Sequence, residues 1–103
     1  MGIKTFGPDF EPDPVKRYIN KIQSHIDKTA QSWGYDDIIS ATTYAEETAV
    51  PIFQVEGKAL REWRSLVWAT AHQILGEVNA GNIVPPTLEE IITMLPAVVR
   101  PTV

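Results

Sequence analysis

His25 and His72 are the two side chains most able to hold a metal or move a proton near neutral pH. Neither belongs to an HExxH or similar histidine–carboxylate spacing, and they fall on separate helices, which is a weak metal set. Each reads as a boundary residue, His25 at the edge of an apolar stripe and His72 on the flank that carries Trp68 and Leu75. The carboxylates come as Asp36–Asp37, Glu46–Glu47 and Glu89–Glu90. Neighbouring carboxylates on a helix point to different faces, so they rarely share a substrate. Two of the pairs stand where helices should begin, and there negative charge complements the helix dipole. Capping therefore explains them better than acid–base catalysis does. The Asp36–Asp37 region also lacks the alternating oxygen ligands and closing glutamate of a calcium loop.

No cysteine is present, which removes thiol catalysis, thiolate zinc sites and disulfides. There is no phosphate-cradling glycine loop and no GxSxG elbow. Arg61 and Arg64 flank Trp63, a possible nucleic-acid patch, but Glu56 and Glu62 nearly balance them. Lys58, Arg61 and Glu62 read instead as a solvated face, with Lys58 and Glu62 spaced for an intrahelical pair. The net charge is −4 and the pI about 5.0, which gives no long-range attraction for nucleic acid or anionic lipid. No apolar run reaches the ~20 residues of a membrane helix. Met1 to Asp13 lacks an apolar h-region, so no secretory signal is expected. The expectation is a protein without cofactor, metal or enzymatic activity that binds neither nucleic acid nor membrane.

What remains is an aromatic and aliphatic load that must be positioned by helices. With 103 residues, 44% hydrophobic and 21% charged, the chain suits one globular domain. Residues 1–12 form an irregular arm broken by Gly2, Gly7, Pro8 and Pro12, with Phe6 and Phe10 as its large apolar anchors. It is either a loose end or an arm that docks through those two rings. The helical domain then spans 13–103. Asp13 as N-cap and Pro14 at the first helical position open a helix to about Trp33, closed by Gly34. Val15, Tyr18, Ile19, Ile22, Ile26 and Trp33 form its stripe.

A short helix capped by Asp36 or Asp37 follows, with Ile38, Ile39, Ala41 and Tyr44 on its apolar side. Its β-branched content makes it dependent on tertiary contacts. A long helix runs from Pro51 to about Val78, with Leu60, Trp63, Val67, Ile74 and Val78 on one face. Leu66, Trp68 and Leu75 widen that surface, so more than one neighbour should cover it. Gly57 marks either the start of regular helix or a close backbone approach. Thr87 and Glu90 make a capping box for a short helix bearing Leu88, Ile91, Ile92 and Leu95, stopped by Pro96.

The fold expected is thus all-α: a small bundle of three to four helices, two long ones packed antiparallel plus two short ones, with the arm outside it. Trp63 and Trp68 lie five positions apart and cannot share one narrow face. Trp68 should be covered within the chain, or else meet another subunit. The candidate interaction surface is Phe6, Phe10, Trp68, Leu75, Val98 and Val99.

Three segments carry a resemblance: GYDDIISATTYAEE (Gly34 to Glu47), FQVEGKALREWRSLVW (Phe53 to Trp68) and GEVNAGNIVPPTLEEIITMLP (Gly76 to Pro96). In this order they resemble small proteins encoded among the tail genes of tailed bacteriophages and prophages. With the end of the first helix, the likeness covers roughly two thirds of the chain. Glu56–Gly57 stands where the resemblance leads one to expect alanine-rich sequence. The resemblance implies a tail-associated structural or accessory role, or a tail-fibre assembly chaperone; a small DNA-binding module is the weaker alternative. It implies other tail or tail-fibre proteins as partners, leaves self-association open, and brings no functional residues with it. The implied location is the bacterial host cytoplasm during expression, and then the virion tail.

Overall fold

The computed structural model describes residues 14–102. Four helices appear among them: α1 (Pro14–Ser32), α2 (Ile38–Thr42), α3 (Pro51–Asn79) and α4 (Leu88–Thr93), with no strand among the described residues. The all-α bundle read from the sequence is the fold observed. None of the helices is long and apolar enough to cross a membrane. Asp13, expected as a cap, and the arm with Phe6 and Phe10 lie outside the described residues.

α1 ends one residue earlier than the stripe suggested. Tyr35 N–H donates to Ala30 O at 3.1 Å and Gly34 N–H to Gln31 O at 2.9 Å, with Gly34 at φ +104°. This double bond is a Schellman closure, and it needs the left-handed backbone that glycine adopts without strain. α2 is capped by Asp37, which accepts from Ser40 N–H at 2.7 Å. Asp27 on α1 accepts the Ile38 N–H at 3.1 Å, so a second free donor of α2 is satisfied from a neighbouring helix. That tie, with Ile38 and Ala41 fully buried, supplies the tertiary support its β-branched sequence requires. α4 carries the full capping box, Thr87 with Glu90.

α1 and α3 run antiparallel. Tyr35, just past the end of α1, meets Glu56 near the start of α3; His25 meets Trp63 at mid-length; Tyr18 reaches Pro86 beyond the end of α3. α2 wedges against the first half of α3. A Cβ on Gly57 would stand 2.8 Å from both Ala41 O and Ala45 N. Of the two readings of Gly57, close backbone approach is therefore the one realised. At ~1.5 Å per residue, α3 is about 43 Å long; α2 and α1 pack against it, while α4 packs on α1.

The core gathers Tyr18, Ile22, Ile26 and Ala30 from α1, Leu60, Trp63, Val67, Ala71 and Ile74 from α3, and Ile91 and Leu95 from α4 and its exit. Trp33, Val78, Leu88 and Ile92, expected in the core, pack half-buried at its edge. Ile19 is a correction: it is 41% exposed. Consecutive residues on a helix sit ~100° apart, and the buried line of α1 is 18, 22, 26, 30. Val15 and Ile19 form a second line, four residues apart, that no described element covers. Leu66 is likewise left exposed on α3.

Candidate interaction surface

The expected surface residues separate into three groups. Phe6 and Phe10 lie outside the described residues. Trp68, Leu75 and Val98 pack half-buried against the core, so the cover of Trp68 is intramolecular. Val99 is 83% exposed and remains a surface side chain.

The most constructed part of the surface involves residues that sequence reasoning did not single out together. Glu56 is a charged side chain only 3% exposed. Its Oε1 accepts from the Tyr35 hydroxyl at 2.7 Å, and its Oε2 accepts from Arg100 Nε at 2.7 Å. Arg100 Nη2 also donates to Trp33 O at 3.0 Å, and its guanidinium carbon lies 5.6 Å from the Trp33 ring centroid. The planar fork of arginine thereby engages a carboxylate, a helix-terminal carbonyl and an indole face together. Seven residues earlier in the α3 pattern than Trp63, Glu56 opens the buried line 56, 60, 63, 67. A glutamate in an apolar register is the signal that could have found it.

Local structure explains the placement. The Schellman closure after α1 turns the chain so that Trp33 and Tyr35 both face the start of α3. Burial, then the hydrogen bond to Glu56, push the Tyr35 phenol well above its ordinary range, so it stays a donor. Tyr35 also belongs to an aromatic group with Tyr44 and Phe53, with ring centroids 5.4–6.4 Å apart. Both Glu56 oxygens are committed, which suits holding better than proton transfer.

The other candidates for chemistry have structural partners. His25 packs edge-on to the Trp63 ring at 5.7 Å. Burial, then the positive charge of Lys21, lower its pKa, so it favours the neutral ring. His72 is exposed. Asp37 is held below the usual carboxylate range by the Ser40 hydrogen bonds, in keeping with its capping role. Glu47 accepts from Ala49 N–H at 2.8 Å, and Glu90 serves the α4 cap. Arg61 pairs with Glu46 at 3.2 Å in an exposed bridge, so the solvated face expected there is present, with a partner from another segment. No group of three or more His, Asp or Glu that could hold a metal occurs among the described residues.

A second surface feature is apolar. The turn after α3 and the outer side of α4 form a shallow groove lined by Ile83, Val84, Pro85, Pro86 and Met94 among others. Val84 is 86% exposed, and two prolines hold the turn in place. Comparison with protein-family models, curated proteins and solved structures finds no match to this chain.

Proposed function

We propose that the chain is a phage or prophage tail-associated structural or accessory protein that acts by binding other proteins. The supporting observation is the segment pattern of Gly34–Glu47, Phe53–Trp68 and Gly76–Pro96, which resembles that of small tail-region proteins. The surface is compatible with such a role. Exposed apolar side chains sit on fixed backbone at the Ile83–Met94 groove, and Val99 adds another. Apolar groups held rigidly in the open lose little conformational entropy on burial in an interface. The partners are other tail or tail-fibre proteins, and the final location is the virion tail.

The test is mass spectrometry of purified particles produced by the lysogen that encodes the chain. A tail component is found in the particles at a fixed ratio to other tail proteins. Its presence in the lysate but absence from the particles would replace this reading with that of an assembly chaperone.

A further inference from the structure

Residues 96–102, beyond α4, form no helix, and no backbone–backbone hydrogen bond ties them to the rest among the described residues. Side-chain anchors hold this strap. The Trp63 indole N–H donates to Pro96 O at 2.7 Å. Val98 packs half-buried on the core. Arg100 closes the strap on Glu56 and Trp33, as described above, with about half of its own side chain still open to solvent. The groove that the strap fills is a built receptor: the buried Glu56 carboxylate oriented by Tyr35, the Trp33 indole face, the Trp33 carbonyl at the end of α1 and the Trp63 indole donor.

We propose that this groove is a binding site for an extended, arginine-bearing segment of a partner protein, and that residues 96–102 are a strap which such a segment displaces. The ligand chemistry is read from the strap itself: an apolar side chain two residues before an arginine, in backbone outside any helix or strand. Lysine does not substitute, because a point charge cannot reach the Glu56 carboxylate and the Trp33 carbonyl while covering the indole. Displacement is an exchange rather than an opening. A carboxylate as buried as Glu56 is costly to leave without its counter-charge, so the resident guanidinium leaves as the incoming one arrives. A strap held without backbone pairing belongs to the weakly protected part of a structure, which makes exchange accessible below global unfolding. The tether gives the strap an effective concentration on the order of millimolar, so a free peptide competes poorly and a multiply attached partner competes well. This inference does not depend on the chain belonging to a virion.

The experiment uses the full chain and a synthetic peptide of residues 96–102, followed by the indole N–H resonances of Trp33 and Trp63. Arg100→Ala removes the strap's hold on Glu56 and Trp33 and leaves it on the Pro96 and Val98 anchors alone, and that variant binds the peptide at least tenfold more tightly than the wild-type chain does. Peptides carrying Arg100→Ala or Arg100→Lys bind the variant at least tenfold more weakly than the parent peptide. A folded Arg100→Ala chain that shows no binding at millimolar peptide, or that binds all three peptides equally, overturns the proposal. If the variant does not fold, the wild-type chain decides: excess parent peptide shifts both indole resonances, and unchanged resonances overturn the proposal. A wild-type chain that dimerises with concentration, and an Arg100→Ala chain that stays monomeric, would assign the groove to a second copy and overturn the partner reading.

Discussion

The middle of the bundle and its Glu56 end are built on opposite principles. At mid-length, Ile22, Ile26, Leu60, Val67 and Ile91 belong to one apolar cluster and are fully removed from water. Each such residue contributes roughly 1.5–3 kcal/mol through burial alone. At the Glu56 end, stability depends on matched polar partners drawn from three distant parts of the chain: Tyr35, Glu56 and Arg100. An apolar contact loses value gradually as packing loosens, whereas a buried carboxylate changes from satisfied to costly when one partner leaves. The core therefore sets how stable the molecule is, and the clasp sets where the 96–102 strap lies.

The contrast can be broken at its strongest point first. Trp63 belongs to both regions, packing in the core and donating to Pro96 O. Trp63→Ala should cost about 3–5 kcal/mol in denaturant unfolding and release the strap as well. Arg100→Met should cost about 2–3 kcal/mol, as expected for a charged hydrogen-bonded group lost from a buried partner. Adding Glu56→Met to it should recover part of that loss, because the buried charge is then gone. A double variant less stable than Arg100→Met alone would show that the clasp is not governed by the unpaired carboxylate. Gly57→Ala should cost about 1–3 kcal/mol by forcing α2 away from α3, seen as a lower unfolding midpoint with Tyr44 and Phe53 resonances displaced.

The pH dependence sharpens the same comparison at a smaller scale. Burial beside Trp63 lowers the His25 pKa below its ordinary 6.5. Its contribution to stability is therefore complete above that value. It is lost as pH falls from there toward the lower folded pKa, since the unfolded chain takes up the proton first. His25→Phe should flatten the stability profile in that window, measured by unfolding midpoints from pH 7 downward. The smallest effect belongs to the exposed line of α1. Ile19→Ser should change stability by no more than about 0.5 kcal/mol, while Ile22→Ala, three residues on, should cost about 2–5 kcal/mol.

These regions were not equally legible in the sequence. The apolar middle follows from helical spacing, and the two side-chain N-caps among the described residues, Asp37 and Thr87 with Glu90, stand where their sequences place them. Ile19 misled because an apolar stripe at helical spacing is wider than the face the neighbouring helices bury, which on α1 is the 18, 22, 26, 30 line. The clasp was hidden for a different reason. Arg100 lies 44 residues from Glu56 and 67 from Trp33, and periodicity carries no information over such separations. Glu56 was visible as a polar residue in an apolar register, but its partner was not. Gly57 showed only that something unusual happens at the start of α3, and the packing of Ala41 and Ala45 against it says what.

Native-state hydrogen exchange compares the two regions in one sample. The Trp63 indole proton reports the strap through its bond to Pro96 O, and the Leu60 amide reports the core of α3. If the strap is a separable element, the indole proton exchanges by a local opening at least tenfold more frequent than the opening that exposes Leu60. Exchange of both protons at one common opening free energy would contradict the division of the molecule into an apolar core and a releasable polar clasp.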